Sequence, residues 1–149
     1  MKTVKRALAL VLALTLLLAM SATVFAADDT GSITINNAVV GQPYTIYEIL
    51  YLESYNATEG QEAYSYKATD AWNNFINSDD IKGTYVTVDS QGYVTWKDGA
   101  DVAKFAELAK EYATDNSIQN QGSSKATSAE VKFENLNLGY YLVYSDLGA

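Results

Sequence analysis

Cysteine and histidine are both missing from this 149-residue sequence. Without cysteine there are no disulfides, so an exported form must rely on its core or on some other cross-link. Without histidine the chain lacks the commonest general base and the commonest metal ligand. Ser-His-Asp and Cys-His catalysis and zinc sites built on Cys and His are excluded on composition. Proline occurs once, at Pro43, and no glycine loop carries the lysine of a phosphate cradle. Basic residues are few, 10 Lys and Arg against 18 Asp and Glu, for a net charge of −8. A chain this acidic does not hold nucleic acid or an anionic membrane surface by electrostatics, so no nucleic-acid partner is expected.

What is present begins with an address. Lys2, Lys5 and Arg6 form a basic start, Ala7 to Met20 is an apolar run, and Ser21 to Ala26 carries small residues. Val24 and Ala26 stand at the −3 and −1 positions of a cleavage site. This pattern predicts a secretory signal peptide over residues 1–26, cut between Ala26 and Ala27, and hence an exported protein. The run falls short of the roughly 20 residues needed to span a bilayer, and no second one follows, so the mature domain is not expected to cross a membrane. Removing 26 of the 149 residues leaves 123, enough for one domain over 27–149, and loss of three cations takes the charge from −8 to −11.

The centre of that domain is predicted to be the stretch from Gly41 to Tyr55, GQPYTIYEILYLESY. Ile49 and Tyr51 fall on one face and Ile46, Leu50 and Leu52 on the other, so a strand here must be covered on both sides. Pro43 stands at its entrance, where a missing N–H does not break a ladder. A half-buried strand, Ser32–Asn36, precedes it with Ile33 and Ile35 inward, and an edge strand is expected over Glu62–Lys67. A helix follows from Thr69 or Asp70, with Ala71, Trp72, Phe75 and Ile76 on one stripe. Gly83–Asp89 and Tyr93–Lys97 read as a hairpin around Ser90-Gln91-Gly92. A second helix is expected from Asp98 as N-cap, with Asp101 as its partner, to about Thr114, burying Val102, Phe105, Ala106, Ala109 and Tyr112 or Ala113. Residues 115–125 read as a surface loop and Thr127–Glu134 as a strand with Val131 and Phe133 inward. GYYLVYS, ending at Ser145, reads as a final two-faced strand, the natural mate of the long one. Because the chain trails off directly after it, the sequence is expected to be a fragment of something longer. Asn56-Ala57-Thr58 matches the glycosylation triplet, a pattern common by chance.

Candidate chemistry is sparse. The acidic clusters Asp28-Asp29, Asp79-Asp80 and Asp98 with Asp101 lack the alternating spacing of a calcium loop and read as solvated loops and caps. Paired acids for glycoside hydrolysis are not singled out by any setting. Trp72 and Trp96, with Tyr55, Tyr64 and Tyr66, are either core or a carbohydrate platform, and the helical and strand spacing favours core. An isopeptide bond between a lysine and an asparagine would need a buried neutral lysine beside a buried acid. Lys67, Lys97 and Lys132 lie on expected strands, but each reads as a strand-end or outward residue; Lys67 and Lys132 are kept as the candidate isopeptide lysines. No catalytic, cofactor-binding or metal-binding residue is assigned.

The order of GSITINNAVVGQPYTIYEIL, TDAWNNFI, YVTWKDGADVAKFAELAKEYA and NLNLGYYLVYSDLGA resembles the N-terminal domain of Gram-positive sortase-assembled pilus backbone subunits, the isopeptide-forming fimbrial proteins. The resemblance covers Gly31 to Ala149. It implies a mainly β, immunoglobulin-like sandwich with two inserted amphipathic helices, placed at the cell wall as part of a fimbrial shaft. It also implies other pilin subunits and a sortase as partners, and a role in adhesion. The LPxTG-type signal, the YPK-like lysine motif and the E-box of that family are absent, and in the family they lie further along, so no acceptor lysine carries over. The expectation is therefore a structural, non-enzymatic pilin domain without cofactors. The alternative is an adhesin module on the same sandwich that binds host glycans or matrix.

Overall fold

A computed structural model describes residues 29–56, 58–60 and 63–147. The expected signal peptide and its expected cleavage position, Ala26 and Ala27, lie outside the described residues. Eight strands and two helices follow in order: β1 Thr30–Asn36, β2 Pro43–Asn56, β3 Ala63–Ala68, a 3-10 turn Asp70–Trp72 running into α1 Asn73–Ile76, β4 Val86–Val88, β5 Tyr93–Trp96, α2 Val102–Asp115, β6 Gly122–Lys125, β7 Glu130–Asn137 and β8 Gly139–Ser145. The chain is mainly β, and every strand pair is antiparallel.

β2 is the hub. β8 runs along one edge of it, pairing from Tyr44↔Ser145 to Tyr51↔Gly139. The other edge is shared end to end, by β6 against Pro43–Ile46 and by β3 against Leu50–Asn56. β5 and β4 extend the sheet beyond β3. β1 and β7 form a separate two-stranded sheet.

Alternation along β2 and β8 sends side chains to two cores. On one face Tyr44, Ile46, Tyr141 and Val143 pack under Ile33 and Ile35 of β1 and Val131 and Phe133 of β7, giving two sheets face to face. On the other, Tyr47, Ile49, Leu50 and Leu142 pack against the helical layer of Trp72, Phe75, Ile76, Phe105, Ala106 and Ala109. The register slips between Glu48 and Leu50, so Ile49 and Leu50 enter the same core although they are neighbours in sequence. The architecture is thus sandwich-like on one side of the central sheet and helix-covered on the other.

Several expectations need correction. β3 is an interior strand, flanked by β2 and β5, because the hairpin folds back onto it. The first helix is one 3-10 turn and a four-residue α1; Trp72, Phe75 and Ile76 are buried but Ala71 is exposed, since the tighter turn rotates it off the stripe. The loop expected over 115–125 contains β6, which has no apolar side chain and exists through its backbone pairing to β2. The hairpin is as expected, with Gly92 at φ +86° in its turn, although β4 is only three residues long.

The cap of α2 also moves. Asp101, not Asp98, is the N-cap: its carboxylate accepts the Lys104 N–H at 3.0 Å. Asp101→Ala is expected to cost about 1 kcal/mol, read as a lower urea midpoint, with Asp98→Ala within about 0.5 kcal/mol of wild type. Equal losses at both positions would overturn this assignment.

Candidate functional site

The long strand outruns its cover. β1 and β7 lie over the Tyr44–Ile46 part of β2, whereas the segment from Tyr51 onwards continues past them as a ribbon with β3. The start of β1 and the end of β7 meet at Thr30↔Asn137, beside the chain leaving β3 at Thr69. Between these three features opens a cleft of about 620 Å³. Asp29, Glu48, Glu53 and Asp70 line it, with Tyr51, Tyr55 and Asn137, and among the described residues no Lys or Arg does.

Glu48 is the unusual member. It sits in the apolar run of β2 and is only 6% exposed. Gln121 Oε1 accepts its backbone N–H, and its carbonyl accepts the Thr69 hydroxyl at 3.2 Å, so side chains finish its backbone pairing where β6 stops and β3 begins. Its own carboxylate is poorly served. Oε2 lies 3.5 Å from Asn137 Nδ2, and Oε1 has no hydrogen-bond partner among the described residues. Burial pushes this carboxyl above its ordinary value, and the weak Asn137 contact only partly opposes that. Tyr141 stands nearby, donating its hydroxyl to the Asn137 carbonyl at 2.9 Å. Burial first, and the Glu48 charge second, raise the pKa of that phenol.

The residues singled out from sequence go elsewhere. Lys67 pairs with Glu53 at 3.0 Å and lies 4.7 Å over the Tyr93 ring. Lys132 pairs with Glu134 at 2.6 Å on an exposed face. In both, the hydrogen bond to the carboxylate raises the amine pKa, the opposite of what a nucleophilic lysine needs. Lys97 donates to the Gly83 carbonyl. The intact mass of the mature protein is therefore expected to equal its sequence mass; a deficit of one ammonia would reveal an isopeptide bond.

Trp72 is buried at 1% exposure, and Trp96 packs edge-on to Phe105 with ring centroids 4.8 Å apart. Tyr55, Tyr64 and Tyr66 form a stack, 4.5 and 6.5 Å between successive rings, that leads inward to Tyr140. Neither tryptophan lines the cleft. Among the described residues no three Asp or Glu side chains are grouped as a metal site would require. No helix among them is long and apolar enough to cross a membrane.

Sequence reasoning passed over Glu48. The available signal was a lone carboxylate flanked at i−2 and i+2 by Ile46 and Leu50. Comparison with protein-family models, curated proteins and solved structures returns no match.

Proposed function

We propose that the chain is the first domain of a Gram-positive pilus backbone subunit, an exported, non-catalytic building block joined to other pilin subunits by a sortase at the cell wall. The finer fold reading belongs with it: an immunoglobulin-like sandwich carrying two inserted helices. Its support is the packing of β1 and β7 over β2 and β8.

The observation that carries the functional reading is the fate of the aromatic residues. A shaft under load needs side chains spent on a rigid core, whereas a glycan-binding module needs them on an open face. Trp72 is a buried member of the helical layer, and the half-buried Trp96 packs against the same core through Phe105. From Tyr44 to Leu50 the long strand is held between β8 on one edge and β6 and β3 on the other, with a core on each face. The adhesin alternative would need tryptophans on the cleft wall.

The test is a blot of cell-wall extracts from the source bacterium with antibody raised against residues 27–149. A ladder of detergent-resistant polymers that collapses to monomer on loss of the sortase is expected. A single monomer band with the sortase present would overturn the reading.

A further inference from the structure

With no cysteine in the chain, no disulfide fastens the far end of the longest strand. Beyond Tyr51, β2 has left both β8 and the β1–β7 sheet behind, and among the described residues β3 is its only paired neighbour there. Tyr55 and Tyr64 stand directly opposite each other on this ribbon, so their side chains share one face. The rings are stacked, with centroids 4.5 Å apart and planes 24° from parallel. Both residues are half-buried, so a small oxidant in solution reaches them.

We propose that Tyr55 and Tyr64 form an oxidative cross-linking site, at which hydrogen peroxide and a haem-type peroxidase fasten β2 to β3 through a dityrosine bond. The reaction needs only the folded domain and is independent of the pilin assignment. The oxidant removes one electron and one proton from each phenol, and these two electrons and two protons reduce one peroxide to two waters. The paired phenoxyl radicals then join through the ring carbons ortho to their oxygens. Each of those carbons passes its hydrogen to its own oxygen, which restores both phenols, so the product is two hydrogens lighter than the starting pair.

Three observations favour this pair. The first is contact: two radicals held in one stack meet without diffusing, which makes their union effectively unimolecular. Tyr47 and Tyr144 are also stacked, but at 5.8 Å and with Tyr47 only 6% exposed inside the core. The second is the ring series that continues inward from Tyr64 to Tyr66 and then, edge-on at 4.7 Å, to Tyr140. Burial raises the pKa of both inner phenols, so they release a proton less readily than an ordinary tyrosine. Oxidising charge that reaches them therefore has its outlet at the two rings that meet water. The third is freedom to react. Stacked rings must slide to bring their ortho edges together, and Glu53, Ser54 and Asn56 around Tyr55 are exposed, with no second sheet above them to resist that movement. The bond would join positions nine apart in the chain and fix the register of a ribbon whose ladder slips between Leu52 and Ser54.

The experiment treats the purified protein, in dilute solution, with a haem peroxidase and hydrogen peroxide. Before treatment its mass equals that of the sequence. Afterwards the expected product is monomeric, shows dityrosine fluorescence, is lighter by two hydrogens, and yields one linked peptide pair carrying Tyr55 and Tyr64. Its Tm is expected to rise by roughly 5–10 °C, as for a cross-link closing a short loop. Tyr55→Phe and Tyr64→Phe, which keep the ring packing, are each expected to abolish the product, and Tyr51→Phe to leave its yield unchanged. Linked peptides built from other tyrosines, covalent dimers as the main product, or no dityrosine in the monomer would each overturn the site. A Tm unmoved by the bond would overturn its fastening role.

Discussion

Gly139→Ala is expected to unseat β8 and to cost at least about 3 kcal/mol, at or beyond the upper end of ordinary overpacking. Gly139 opens β8 and pairs with Tyr51, immediately after the register slip in β2. A Cβ built there would lie 2.0 Å from the Leu50 carbonyl oxygen and 3.1 Å from the Tyr51 Cα. Both are backbone atoms of the central strand, so no side-chain rotation relieves the clash. Either the ladder opens at this end, exposing Leu50 and Leu142, or β2 is displaced from the helical layer. The loss is a large fraction of the stability of an ordinary domain. Urea denaturation of the purified variant reads it directly. Gly60→Ala is the control: that glycine has φ +78° but nothing within 4 Å of its missing Cβ. It is expected to cost only the local backbone strain, about 1 kcal/mol. A Gly139→Ala midpoint equal to that of wild type would refute this account of the strand junction.

Trp72→Ala is expected to cost about 3–5 kcal/mol. The indole sits on the 3-10 turn, with ring centroids 5.9 Å from Tyr47, 5.5 Å from Phe75 and 5.6 Å from Tyr112. It therefore ties the short first helix, the long second one and the central strand into one cluster. Its truncation leaves a cavity that four-residue α1 is too short to refill. Trp72→Phe retains part of the ring contact and is expected to lose less than half as much. A loss under about 1 kcal/mol for the alanine variant would mean that the site collapses freely.

The sequence made the centre of the fold readable because β2 and β8 are apolar on both faces, a pattern that only a doubly covered strand tolerates. The hairpin was readable from Gly92 and its flanking alternation. β6 was not, because Gly-Ser-Ser-Lys carries no apolar signal. Its place is fixed by the bare edge of β2, and its Gly122 is kept small by the Phe133 ring, which a Cβ would approach to 3.0 Å. The sequence reads Asp98 as the α2 cap, one turn early, because Asp98 and Asp101 both suit the role and only the entering backbone selects Asp101. The cleft was illegible for a different reason. It is made by the start of β1, the end of β7 and the exit from β3, and no local pattern reports that these converge. Glu48 alone left a trace, as a charge in an apolar run.

The pairing of Tyr44 with Ser145 joins positions about a hundred residues apart. Closing so long a loop is entropically slow, and contacts of such separation retard folding. Until β8 has been synthesised, β2 lacks the partner for one whole edge, so a nascent chain emerging in order cannot finish its central sheet early. That delay suits the export proposed above, in which the chain would cross the membrane unfolded, and it makes the seven residues of β8 the last to join the central sheet.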